Sequence, residues 1–132
     1  MFQLHECLAA ESCLVGDWTL SRLLLAGDAR FPWLILVPRR TGISEIHELD
    51  SSDRSILIEE IARASIGLRK MTKATRINIG ALGNVVPQLH VHIVARHPGD
   101  AAWPGPIWGH GAPLRYESSV RDDLIENLRR KI

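Results

Sequence analysis

The chain has 132 residues, 45% of them hydrophobic, and 16 lysines and arginines against 15 acids leave it a net charge of +1. A chain of this length buries about two thirds of its unfolded surface and needs no disulfide or metal to fold, while so balanced a charge gives neither a nucleic-acid backbone nor a membrane surface a field to follow. Glu6 and Glu11 interrupt the N-terminal apolar stretch where a secretory signal would run unbroken, no window reaches the ~18 apolar residues of a bilayer span, and Cys7 and Cys13 stand outside any CxxC pattern, so a cytoplasmic domain spanning residues 1–132, with free thiols and small-molecule partners, is expected.

In chain order, residues 18–25 (WTLSRLLL) read as a strand, the breaker-rich AGDARFP as a turn, and residues 33–37 (WLILV) as a second strand stopped by Pro38, an arrangement that suggests an antiparallel hairpin. From Asp53 to Met71 the apolar residues Leu57, Ile61, Ala64, Leu68 and Met71 recur every three or four positions, the stripe of an amphipathic helix. Asp50, Ser51 and Ser52 offer N-caps, and Arg69, Lys70 and Lys73 suit its negative end. Gly67 predicts a frayed last turn.

Strands are expected at residues 76–80 (RINIG) and 89–95 (LHVHIVA), around the turn ALGNVVP. Residues 97–113 are rich in proline and tryptophan and predict an irregular excursion. Residues 119–131 predict a C-terminal helix capped by Ser119 with Asp122 three positions on. Strands interrupted by one long helix imply an α+β fold.

Chemistry concentrates in Gln88-Leu89-His90-Val91-His92-Ile93-Val94. Alternation sends Leu89, Val91 and Ile93 to one face and Gln88, His90 and His92 to the other. Same-face neighbours on a strand stand about 6.6 Å apart, close enough to serve one phosphate or one metal ion. The expectation is an apolar face against the helix and an open functional face. The turn from Asn78 to Asn84 offers backbone N–H groups and two amides to an anion; Arg39, Arg40 and Arg96 offer cations at strand ends; Trp103 and Trp108 offer surface on which a base can stack, or simple packing.

In the order Leu-Val-Pro-Arg (36–39), Ser-Glu-Ile-His-Glu-Leu (44–49), a long helix, Asn78 at a strand end and the His-x-His strand, the chain resembles the histidine-triad (HIT) family of nucleotide hydrolases and transferases, over about residues 20–109. The resemblance implies a HIT-like antiparallel sheet of about five strands with one long helix packed on it and a C-terminal helix, a homodimer, and no cofactor. It also implies chemistry: His90 as the nucleophile on the α-phosphorus of a nucleoside phosphoramidate or dinucleoside polyphosphate, forming a nucleotidyl-histidine, with His92 on the phosphate, Asn78 and Asn84 nearby, and Asp28 as the counterpart of a ribose-binding residue. An attacking imidazole needs one nitrogen free and the other N–H held by an acceptor.

Two positions depart from the family pattern. Gln88 replaces the first histidine of the triad, and Trp33 stands where many members carry a supporting histidine. Gln88 can donate and accept hydrogen bonds but carries no proton. The alternatives are a nucleotide-binding protein without catalysis, and a metal protein using His90, His92 and either His97 or Gln88.

Overall fold

The computed structural model describes residues 1–132. The elements are α1 Glu6–Ala10, β1 Ser12–Asp17, β2 Ser21–Ala26, β3 Trp33–Pro38, a 3-10 turn Ile46–Glu48, α2 Ser51–Thr72, β4 Arg76–Gly80, β5 Val91–Arg96 and α3 Ser118–Lys131. The strands form one antiparallel sheet in the order β1-β2-β3-β5-β4, so α2 and β4 intervene in sequence between the neighbours β3 and β5. This is the α+β, HIT-like arrangement expected.

The hairpin is formed by β2 and β3, with Arg22 opposite Val37 and Leu24 opposite Ile35. Its first strand begins at Ser21 rather than residue 18, because the Trp18 N–H bonds the Ser21 carbonyl at 2.8 Å and closes a tight turn from β1. Neither α1 nor β1 was expected. Gly16 and Asp17 depress strand propensity in β1, and its register shifts between Leu14 and Gly16, so no clean alternation survives.

Helix α2 runs two residues beyond the expected start and one beyond the expected end. The Asp50 carboxylate caps the Asp53 N–H at 2.8 Å, and Lys73, at φ 55°, ends the helix. Leu57, Ile61, Ala64 and Leu68 are buried against the sheet, each large side chain contributing about 1.5–3 kcal/mol. The last turn is not frayed. Gly67 is there for closeness: a Cβ at that position would lie 2.5 Å from Ile132 Cγ1, so the glycine seats the C-terminal side chain on α2.

Helix α3 starts one residue before the expected 119–131 and is not capped by Ser119. Its N-cap is Glu117, whose side chain makes no capping bond to the helix backbone, and the Ser119 hydroxyl donates to the Glu117 carboxylate at 3.3 Å. Ile125 and Leu128 face the core while Val120 is exposed, and the Arg129 Nε–H bonds the Val15 carbonyl on β1.

Leu23, Leu25, Leu34, Leu36, Val91 and Ile93 point to the face covered by α2 and α3 and form the main core. The opposite face carries two smaller clusters. Phe2, Leu4 and Leu8 cover Leu24, Ala26, Ile35 and Val37 at one side; Phe31 from the β2–β3 connection and Ala102 and Ile107 from the irregular 97–113 excursion gather on Val94 at the other. No helix is long and apolar enough to cross a membrane.

Candidate active site

Between those two covers lie His90 and His92, only 7% and 8% exposed. The expected open face is therefore a roofed one. Leu89, Val91 and Ile93 point to the helix side, as alternation requires. The hydrogen-bonded ladder begins at Val91, so His90 sits just before it, where its backbone leaves the sheet.

His90 Nδ1 lies 2.7 Å from the Gln88 carbonyl. A carbonyl only accepts, so Nδ1 carries the proton and Nε2 presents a free lone pair. The rings of His90 and His92 meet edge to face, with centroids 4.9 Å apart.

His92 is held differently. The Trp33 indole N–H donates to His92 Nδ1 at 3.0 Å. Indole has no acceptor, so this bond leaves the proton of neutral His92 on Nε2. Trp108 closes the other side, with ring centroids 5.6 Å apart. Gly80, opposite His92 on β4, gives Trp108 room: a Cβ there would come within 3.1 Å of the indole. Burial, and then the neighbouring His90, lower the His92 pKa from 6.5 to about 4.

Gln88 spends its amide on the N-terminal segment. Its Oε1 accepts the His5 N–H at 2.8 Å and its Nε2 donates to the Gln3 carbonyl at 2.9 Å. His5 in turn caps α1, its Nδ1 accepting the Cys7 N–H. Gln88 thus brackets the strap that carries Phe2 and Leu4 over the site face. Each such bond is worth about 1 kcal/mol net. Gln88→Ala is expected to speed amide hydrogen exchange at His5 by about tenfold, with the exchange of β5 unchanged.

Asn78 lies on the histidine face, paired with Val94 across β4 and β5. Its Oδ1 accepts from Arg96 at 2.8 Å, an assignment that leaves the Nδ2 hydrogens as free donors. Asn84 stands exposed in the turn before β5. Asp28 is not joined to the histidines. Its buried carboxylate accepts from the Arg30 backbone and guanidinium and from the Leu114 N–H, fastening the C-terminal excursion.

The arginines expected as free cations are committed. Arg39 bonds the carbonyls of Trp18 and Thr19, Arg40 pairs with Asp53, and Arg96 is 1% exposed and doubly bonded to Asp100. Trp103 lies over Arg96 at 5.7 Å instead of offering an open stacking surface. No group of three His, Cys, Asp or Glu side chains is placed to hold a metal, and His97 turns away, its Nε2 on the Thr72 carbonyl at 3.0 Å. Gln88, expected beside the histidines on the phosphate, instead has its amide on the N-terminal segment, and Trp33, expected only as a departure from the family pattern, holds His92.

A long helix laid across an antiparallel five-stranded sheet, with a histidine pair on the strand next to the edge, defines the histidine-triad class of fold. The chain belongs to the HIT domain family, which matches residues 8–99. It is similar to crystal structures of histidine triad proteins from three bacteria. That of Bradyrhizobium japonicum is 48% identical with a TM-score of 0.97, covering 99% of this chain and 98% of that one. Those of Sinorhizobium meliloti (41% identity, TM-score 0.97, 99% and 97% covered) and Marinobacter aquaeolei (42%, 0.96, 98% and 95%) are nearly as alike. No curated protein matches the chain.

Proposed function

We propose that the protein is a nucleotidyl hydrolase or transferase in which His90 is the nucleophile. The observation that carries this reading is the bond from His90 Nδ1–H to the Gln88 carbonyl just ahead of β5, which leaves Nε2 free of a proton. The lone pair of Nε2 forms a bond to the α-phosphorus of a nucleotide anhydride or phosphoramidate. The bond to the leaving group breaks, and its electron pair departs with that group. Water then displaces the nucleotide from the imidazole and releases its proton to solvent.

His92 supports the step as a donor: its Nε2–H bonds a phosphoryl oxygen on which charge builds. The free Nδ2 hydrogens of Asn78 and the amide of Asn84 are the further phosphate donors in this reading. Gln88 shapes the wall through the N-terminal strap. A homodimer is part of it too, since β4 is an edge strand and Ile66 on α2 and Ile79 on β4 leave apolar side chains exposed beside it. Two free cysteines suit a cytoplasmic setting.

The test is a single-turnover incubation with an adenosine phosphoramidate and with a diadenosine polyphosphate, quenched and weighed by intact mass. A transient nucleotidyl adduct on the intact chain is expected. AMP binding without adduct or turnover on either substrate would instead support a binding protein.

A further inference from the structure

Proton supply is the feature that separates this site from one built of three imidazoles. The histidine face carries Gln88, His90, His92 and Asn78, with Trp33 and Trp108 on either side of His92, and neither indole nor carboxamide is an acid. Gln88 has no titratable proton. His90 must keep Nε2 bare to attack. His92 carries one proton, on Nε2, and can give it up only by becoming an imidazolate, so it serves as a hydrogen-bond donor and not as an acid. To act as an acid His92 would have to be an imidazolium, protonated on Nδ1 as well, and that nitrogen is occupied by the Trp33 indole N–H at 3.0 Å. The groups packed on His92 are Trp33 and Ile35 from β3, His90 from just before β5, Gly80 from β4 and Trp108 from the 97–113 excursion. His90 is the one titratable neighbour among them, so no carboxylate stands there to favour the imidazolium.

We propose that Trp33 is a positioning residue that locks His92 in the Nε2–H tautomer, and that the site therefore takes nucleotide anhydrides, whose leaving group departs as a stable phosphate or carboxylate anion, over phosphoramidates of alkylamines. This rests on His90 as the nucleophile. With an anhydride, the His90 nitrogen–phosphorus bond forms, the bridging phosphorus–oxygen bond breaks, and the electron pair stays on the departing oxygen with no proton required. With an alkyl phosphoramidate the same pair would fall on an amide nitrogen. That nitrogen must take a proton as it leaves, and no site group holds one to give. The low pKa of His92, about 4, agrees with a ring kept neutral.

Two measurements test the two halves. Nitrogen-15 NMR of the intact chain is expected to show His92 with a bare Nδ1 and a protonated Nε2, unchanged from neutral pH down to about pH 5, a unit above its pKa of about 4. In Trp33→Phe, which keeps an aromatic ring over His92 but loses the N–H, both tautomers are expected, while burial and His90 still hold the midpoint below the ordinary value. A proton on Nδ1 in the wild type, or a single Nε2–H tautomer that persists in Trp33→Phe, would overturn the lock.

Single-turnover transfer is then compared among a diadenosine polyphosphate, acetyl adenylate and an adenosine phosphoramidate of an alkylamine. Both anhydrides are expected to exceed the phosphoramidate by about 10²- to 10⁴-fold, the scale of lost acid assistance, and Trp33→His to narrow that gap. Whichever anhydride is faster tells a phosphate from a carboxylate leaving group. A phosphoramidate as fast as either anhydride overturns the preference. No transfer from any of the three overturns the nucleophile reading and the preference with it, while the tautomer still stands or falls by NMR.

Discussion

His90→Ala is expected to lower nucleotidyl transfer by at least about 10⁴-fold, as loss of a covalent nucleophile does elsewhere, and to bind AMP with nearly the wild-type affinity. The asymmetry follows from what the ring does in the resting protein. Its Nδ1 is engaged by the Gln88 carbonyl and its Nε2 by no protein group. In the proposed reaction the second nitrogen contributes to a bond that exists only when phosphorus is attacked, and loss of such a group lowers turnover more than binding. Removing the ring also strips the Gln88 carbonyl of its donor, at a cost of about 1–3 kcal/mol. His90→Asn, whose side-chain amide can still donate to that carbonyl, separates the two effects: it should recover stability but not transfer. Calorimetric titration with AMP and intact-mass detection of the adduct read both quantities. An adduct that persists in both variants would move the nucleophile to another residue.

The long helix, the hairpin of β2 and β3 and the β4 strand were legible because each carries an uninterrupted periodicity or a clear breaker. The cap at Asp50 was legible for the same local reason. What failed was non-local. β1 is recognisable as a strand mainly through its pairing with β2, and Gly67 is explained by Ile132, 65 residues away in sequence and in contact in space. Ser119 had the composition of a cap but lies one residue inside the helix, where its hydroxyl found a carboxylate before it found the backbone.

The site divides in the same way. Alternation along the strand placed His90 and His92 on one face, a matter of backbone geometry alone. Whether that face is open or roofed depends on Phe2, Leu4 and Trp108, which arrive from both ends of the chain. Arginine, too, carries no mark in the sequence that separates a cation awaiting an anion from one already paired. Arg40 found Asp53 across 13 positions and Arg39 the carbonyls of the β1–β2 turn. Gln88 and Trp33 read as losses when compared with three histidines. In the structure each has taken on a bond that histidine would share with a proton: one holds a strap, the other a tautomer.

Arg96→Met is the substitution expected to cost the most stability outside the site, about 3 kcal/mol, because it removes a fully buried guanidinium and leaves the partly buried Asp100 carboxylate without its partner. The Arg96 guanidinium makes two bonds to Asp100, at 2.8 and 3.0 Å, and a third to Asn78, between the rings of Phe31 and Trp103. Asp100 in turn accepts the N–H groups of His97 and Ala102, so the ion pair anchors the start of the excursion that carries Trp108 to His92. At about 4 °C per kcal/mol for a domain near this size, the melting temperature should fall by about 12 °C. The pH dependence identifies the cause. Arg96 holds the Asp100 pKa far below the ordinary carboxylate value. A depressed carboxylate contributes stability that is present above its unfolded pKa of about 3.9 and is lost as pH falls below it. His92, with its pKa lowered from 6.5 to about 4, acts in a different window: the unfolded chain takes up its proton first, so stability declines as pH drops from about 6.5 to about 4 and levels off below. The wild type should therefore lose stability in two successive acid limbs. Arg96→Met should keep the upper limb and lose the lower one. Denaturant unfolding at a series of pH values reads this directly, and a lower limb that survives in Arg96→Met would assign it to a carboxylate other than Asp100.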